Sequence, residues 1–172
     1  MYTYKTYAMN SISHAPLSDS MLTLAAAIGA GVVNGLSRLI LGSLYDKCGF
    51  KALFSVLMTS QLLVSLVCYH AVAYPWLYIT CILLNYASIG GMYAIFPVSV
   101  TKVFGMESGP QIYVWVLLGA VLSSMLIMLT VVYLLDVVGF QALFYMGTAS
   151  QIVTLGVLWN FEERLDEVNL ER

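Results

Sequence analysis

The chain has 172 residues, of which 60% are hydrophobic and only 9% are charged, and its formal net charge is −2. A soluble domain carries about 25% charged residues, so this composition excludes a water-exposed globular surface. The apolar content excludes a disordered chain. The seven basic residues form no patch for a nucleic acid, and three cysteines in apolar surroundings are too few for a disulfide scaffold. An integral membrane protein remains.

Five runs of residues with little or no charge are long enough to cross a bilayer as helices. A span needs about 20 apolar residues, and a charge at the bilayer centre costs about 2.5–3.5 kcal/mol. The predicted spans are 20–43, 52–71, 76–98, 111–135 and 139–160. Turn-forming sequences separate them, at 46–49, 74–75, 108–110 and 136–139. The sequence therefore predicts an all-α, polytopic bundle of five transmembrane helices embedded in a lipid bilayer.

The basic residues predict which ends of these spans face the cytoplasm. One side holds Lys47, Lys51, Lys102, Arg164 and Arg172, whereas the other holds only Lys5. By the positive-inside rule, the first side is cytoplasmic. We therefore predict an external stub over 1–19, a five-span membrane bundle over 20–160 and a cytoplasmic tail over 161–172, so that the C-terminus of this multi-pass protein is cytoplasmic.

A sixteen-residue sequence occurs twice, from Asp46 to Gln61 and, 90 residues later, from Asp136 to Gln151. Eight of the sixteen positions are identical, including Asp, Gly and Gln in register. Because three predicted spans separate the copies, we expect them on opposite membrane faces. That arrangement is typical of the inverted three-helix repeats of secondary transporters. The alternative is a chance similarity between two apolar junctions.

The same offset makes a prediction about the first residues of the chain. The partner of span 76–98 would occupy positions −14 to 8. We therefore expect residues 1–8 to be the end of a helix that this chain mostly lacks.

The turn after the first span has the spacing G-x3-D-[RK]-x-G-x-[RK], given by Gly42, Asp46, Lys47, Gly49 and Lys51. Gly49 supplies a tight turn, the carboxylate of Asp46 can accept hydrogen bonds from a neighbouring helix or a basic partner, and the lysines favour an anionic lipid surface. The alternative is an ordinary basic loop. This spacing resembles the signature loop of the major facilitator superfamily. The resemblance implies a conformational-switch loop that does not touch substrate.

Two further sequences resemble one branch of that superfamily. The sequence that includes Gly90, Gly91 and Pro97 is similar to the tenth helix of the oxalate/formate antiporter and monocarboxylate transporter branch, and 34–42 is similar to its eighth helix. The resemblance extends over about 20–160 as helices eight to twelve. It implies the C-terminal half of a transporter, which needs an N-terminal half as partner. The two glycines and Pro97 fit a kinked gating helix, but they fit close helix packing equally well.

Arg38 is the only charged residue inside a predicted span, and Asn34 lies one helical turn away on the same face. A charge at such a depth usually faces a watery cavity and is functional. In the resembled branch, an arginine at this place binds the substrate carboxylate, which suits the forked donors of a guanidinium. The resemblance therefore implies Arg38, helped by Asn34, as the substrate-binding residues. The alternative is a side chain that reaches the lipid headgroups. Span 111–135 lacks the lysine of the oxalate carriers, which disfavours a dicarboxylate substrate.

These observations predict secondary active transport of a small organic anion, with a monocarboxylate as the leading candidate, by a larger two-bundle transporter. We expect this chain to be inactive alone. The sequence contains no catalytic set, so we expect neither an enzyme nor a metal site or other cofactor. Two alternatives remain: a degenerate transporter half that serves as a structural subunit of a membrane complex, and a five-span protein of an unrelated family.

Overall fold

The computed structural model describes residues 7–8 and 18–161, so most of the predicted external stub and cytoplasmic tail lie outside the described residues. The main elements are helix α1 (Asp19–Ile28), a π-helical turn (Gly29–Val33), helix α2 (Asn34–Ala71) and helix α3 (Pro75–Trp159). Within these ranges there is no strand, which confirms the all-α prediction. Three helical stretches are long and apolar enough to cross a membrane: Asp19–Ala71, Pro75–Leu135 and Val137–Trp159.

Three glycines interrupt the long helices. The φ and ψ angles are 75° and 172° at Gly49, 79° and 169° at Gly105, and 74° and 170° at Gly139. This backbone conformation is accessible almost only to glycine, because other residues carry a Cβ atom that clashes there. The breaks divide the helices into five helical segments, which are 19–48, 50–71, 75–104, 106–138 and 140–159.

The positions of these breaks agree with two of the predicted turns and contradict a third. Gly49 and Gly139 lie in predicted turns, but residues 108–110 are helical and the chain turns earlier, at Gly105. Pro110 has no N–H to donate to the Met106 carbonyl, but the helical backbone continues through it. Gly109 serves packing instead, because a Cβ there would lie 2.8 Å from the Cα of Thr101 in the preceding segment.

Segment 75–104 packs between the first two segments. It runs antiparallel to 50–71, with the amide of Gln61 beside Asn85. It runs parallel to 19–48, because Gly29 lies against Tyr86 and, further along both segments, Leu41 lies against Gly91. The Nδ2 atom of Asn34 also donates to the carbonyl of Tyr86 over 3.3 Å. These neighbours hold the two predicted substrate-binding residues beside the predicted gating helix.

Segment 140–159 is antiparallel to 50–71. At one end, the Nζ atom of Lys51 donates to the carbonyls of Trp159 over 3.1 Å and Phe161 over 2.7 Å. At the other end, the rings of Tyr69 and Phe144 are 6.2 Å apart. We call these the Lys51 end and the Tyr69 end. The turn at Gly49 therefore lies at the Lys51 end and the turn at Gly139 at the Tyr69 end, on opposite ends of the bundle, as an inverted repeat requires.

The aromatic contacts beside these two turns follow the same offset of 90 residues. At the Lys51 end, the ring of Phe96 lies 5.7 Å from Phe50 and 5.5 Å from Phe54. At the Tyr69 end, Phe140 and Phe144 are the repeat equivalents of those two phenylalanines, and both contact Tyr7, at 5.1 and 5.3 Å. Tyr7 thus occupies the place of Phe96, within one residue of the predicted offset.

Candidate functional site

Arg38 projects from segment 19–48 and is held by neighbours on two sides. Its Nε atom donates to the Oδ1 atom of Asn34 over 3.1 Å, and its guanidinium lies 5.4 Å from the centre of the Tyr93 ring, a cation–π contact. Asn34 is itself fixed by its bond to the carbonyl of Tyr86. The structure therefore brings Arg38 and Asn34 together, as predicted, and adds Tyr93 from the predicted gating helix.

The guanidinium of Arg38 keeps donors for an anion. The side chain is exposed, and no carboxylate pairs with it among the side chains that the structure describes. The bond to Asn34 uses one of five N–H donors. The remaining donors can bind a carboxylate in the two-pronged geometry that this group favours.

Two features around Arg38 could not be read from the helical pattern. The turn Gly29–Val33 is π-helical, and the N–H of Asn34 donates back to the carbonyl of Gly29. Such turns are rare and occur often at functional sites. Tyr93 lies four residues before Pro97, which has no N–H to donate to the Tyr93 carbonyl. Two sequence signals could have indicated these features. A glycine-rich stretch precedes Asn34 at the π-helical turn, and Tyr93 is an aromatic residue one turn before a proline.

The two predicted gating glycines, Gly90 and Gly91, serve close packing in this structure. A Cβ at Gly90 would overlap the Ser37 hydroxyl and the Asn34 carbonyl, and a Cβ at Gly91 would overlap Leu41. Segment 75–104 continues through Pro97 without a break in its helical backbone. Of the two readings left open by the sequence, the glycines therefore favour close helix contact.

The motif residues from Gly42 to Lys51 do not form one loop. Gly42, Asp46 and Lys47 lie in the last turns of a helix, and only Gly49 has a turn conformation. Among the residues that the structure describes, no atom of another element lies within 4 Å of a Cβ added at Gly42, so this glycine makes no close helix contact there. Lys47 is exposed.

Two of the motif's charged residues make long-range contacts at the Lys51 end. Asp46 accepts a hydrogen bond from the Nζ atom of Lys102 over 2.9 Å, and that ammonium lies 4.5 Å from the centre of the Tyr45 ring. Lys51 caps the C-terminal end of segment 140–159 through the two carbonyls described above, where a positive charge is favourable. These contacts join four segments in two pairs, 19–48 with 75–104 and 50–71 with 140–159.

A polar layer crosses the middle of the bundle. The Nδ2 atom of Asn85 donates to the Oε1 atom of Gln61 over 3.3 Å, and the Ser60 and Ser88 hydroxyls are 3.2 Å apart. Gln151 is the repeat equivalent of Gln61, but its buried Oε1 atom has no hydrogen-bond donor among the described residues. Among the described residues, Gln61 therefore bonds between segments through its side-chain oxygen and Gln151 does not.

Comparison with known proteins adds no relative to this description. No family model, curated protein or solved structure matches the chain. Among the described residues, no group of three or more His, Cys, Asp or Glu side chains could hold a metal ion. The contacts of Arg38 and the duplicated turns are therefore the features that bear on function.

Proposed function

We propose that this chain is one bundle of a secondary transporter for a small organic anion, with a monocarboxylate as the preferred substrate class. The observation that carries the proposal is the exposed guanidinium of Arg38, oriented by Asn34 and Tyr93 and free of a carboxylate partner among the described side chains. A guanidinium held in this way can bind one carboxylate without a covalent step.

The five helical segments are the proposed membrane spans. The helical stretch from Pro75 to Leu135 has 61 residues and contains the break at Gly105. At 1.5 Å per residue it would be about 90 Å long if straight, three times the hydrocarbon thickness of about 30 Å. Spans that begin and end near the glycine breaks and near Val72–Tyr74 fit the bilayer, and the Lys51 end, which carries the motif lysines, is then cytoplasmic.

The inverted repeat supports transport by alternating access. In transporters built this way, one bundle rocks against another around a central site. The bond between Asp46 and Lys102 is exposed at the proposed cytoplasmic end, with side-chain exposures of 73% and 43%, so it can break and re-form at little cost. A single bundle cannot alternate access, so an N-terminal half is expected as the partner and the chain alone is expected not to transport.

The test is equilibrium binding of radiolabelled formate, lactate and pyruvate to the purified chain in lipid nanodiscs. Arg38→Ala should abolish saturable binding, and Arg38→Lys should weaken it because a lysine keeps the charge but loses the forked geometry. Leu39→Ala is the matched control, because Leu39 is the neighbouring residue and is 69% exposed. Binding that is the same in the wild type and Arg38→Ala would refute the anion site.

The second candidate is a structural subunit of a membrane complex. The observation that favours it is segment 106–138, whose large apolar side chains are exposed over most of its length. A structural subunit would bind none of the three anions, so the same measurement separates the two functions.

A further inference from the structure

Two thiols meet inside the bundle near its Tyr69 end. Cys68 lies on segment 50–71 and Cys81 on segment 75–104. Both side chains are buried, with 8% and 4% of their surfaces exposed, and a hydrogen bond joins them. The fold therefore places a pair of thiols between two neighbouring helices.

The register of the two helices brings the same residues together. Towards the other end of these segments, a Cβ at Gly91 would lie 3.2 Å from a methyl carbon of Leu57. Cys68 follows Leu57 by eleven residues and Cys81 precedes Gly91 by ten, which is about 17 and 15 Å along two antiparallel helices. The two cysteines therefore lie at one level, and Cys68 belongs to the buried residues of its segment together with Gln61.

The turn beside the pair keeps the two helix ends at a fixed separation. The N–H groups of Ala73 and Tyr74 donate to the carbonyls of His70 and Ala71 over 3.4 and 2.8 Å. Ala71 and Tyr78 pack in the same buried cluster as both cysteines. Little of the chain must therefore be reordered to bring the two sulfur atoms to the separation of about 2.0 Å in a disulfide bond.

We propose that Cys68 and Cys81 are a redox-active dithiol that exchanges with a small disulfide. The thiolate of one cysteine attacks a sulfur atom of the small disulfide, whose S–S bond breaks; a mixed disulfide forms and one small thiol leaves. The thiolate of the second cysteine then displaces the other small thiol, and an S–S bond forms between Cys68 and Cys81. The pair loses two protons and two electrons, and the small disulfide gains them as two thiols.

A metal ion explains the pair less well. Structural zinc sites use four protein ligands. Among the described residues, no third His, Cys, Asp or Glu side chain completes a group that could hold a metal ion. A disulfide needs only the two sulfur atoms that the fold brings together.

Burial determines when the exchange takes place. A thiol in apolar surroundings reacts poorly, so exchange requires local opening of the Tyr69 end or precedes the packing of the two helices. Once formed, the disulfide ties segments 50–71 and 75–104 together and restricts that opening. Under the proposed topology the Tyr69 end is external, where disulfides persist; this location rests on the proposed function, whereas the thiol pair does not.

The test is the redox equilibrium of the purified chain in lipid nanodiscs. A Cys48→Ser background leaves only the pair, because the chain has three cysteines. Reduced and oxidised glutathione are the probes, and equilibrium is approached from the reduced and from the oxidised chain at a temperature at which the bundle opens locally. Free thiols are counted with a maleimide after acid quenching, and mass spectrometry locates the disulfide. We expect both thiols to disappear together, with the cross-link inside one chain.

A displaced cysteine is the matched control. Cys68→Ser combined with Leu66→Cys keeps two cysteines but moves one of them by two residues, to a position that is 47% exposed. The effective concentration of Cys68 and Cys81 for each other should exceed that of the displaced pair by about tenfold or more. The disulfide should also raise the melting midpoint in near-ultraviolet circular dichroism, because a fold that favours the disulfide is favoured by it in turn.

Three results would overturn the proposal: a pair that stays reduced at every glutathione ratio, equal effective concentrations for the pair and the displaced control, or disulfides that link two chains. The measurement uses no anion and no membrane orientation. Its failure therefore leaves anion binding at Arg38 and the proposed topology unchanged, and their failure leaves the result for the thiol pair unchanged.

Discussion

Replacement of Gly90 by alanine tests whether close helix packing at the site outweighs the higher helix propensity of alanine. Gly90 is where segment 75–104 approaches the backbone of 19–48. Its added Cβ would overlap the Asn34 carbonyl oxygen and would lie 3.1 Å from the carbonyl carbon, whereas non-bonded carbons favour about 3.5–4.0 Å. The two segments must therefore move apart by about half an ångström or more.

The size of the effect follows from two opposing contributions. Overpacking of this kind costs about 1–3 kcal/mol, whereas alanine is preferred to glycine in a helix by about 0.5–1 kcal/mol. We expect Gly90→Ala to lower the free energy of unfolding by about 1–2 kcal/mol. Gly42→Ala, with open space around its added Cβ, should raise that free energy by up to about 1 kcal/mol.

The assay follows reaction of a thiol-sensitive dye during heating, in a Cys48→Ser background. Cys68 and Cys81 are buried, so they become reactive when the bundle opens. The midpoint should fall for Gly90→Ala and should not fall for Gly42→Ala. Gly90→Ala should also weaken anion binding, because Asn34 orients Arg38. Equal midpoints for the two alanine variants would refute the reasoning.

Two further predictions concern pairs of polar residues. A double-mutant cycle of Gln61→Leu and Asn85→Leu should give a coupling of about 0.6 kcal/mol, with about 1.7 kcal/mol as the upper bound for such bonds; a coupling near zero in the thiol assay would contradict the observed bond. Asp46→Asn and Lys102→Gln should each change the unfolding free energy by less than about 1 kcal/mol, because the pair is exposed. A loss above about 2 kcal/mol would show that this pair is structural rather than a contact that opens easily.

The sequence predicted the helical fold, because a long apolar run in a membrane must satisfy its backbone hydrogen bonds as a helix. It also predicted the turns at Gly49 and Gly139, because a glycine shortly after an aspartate between two apolar runs favours a turn. It misplaced the turn before segment 106–138, because a Gly-Pro pair is a strong local turn signal. Contact with Thr101 requires Gly109 for a different reason. Local patterns do not reveal which side chains meet across segments.

The same limit applies to the site. Arg38 and Asn34 are one turn apart, so any helix brings them together. Tyr93 reaches Arg38 only because Gly90 allows segment 75–104 to pack tightly against 19–48. The side-chain oxygen of Gln151 has no hydrogen-bond partner among the described residues, which is likewise a property of the assembled bundle, whereas the equivalence of Gln151 to Gln61 was visible in the repeat.

The inverted repeat is tested most directly by the sidedness of its two turns in a sealed membrane. Cys48 lies beside Gly49, and a Val138→Cys variant in a Cys48→Ser background provides a thiol beside Gly139. We predict that an impermeant maleimide reaches Cys48 from the cytoplasmic side only and the thiol at position 138 from the external side only. Labelling of both thiols from the same side would contradict the repeat and the transporter architecture derived from it.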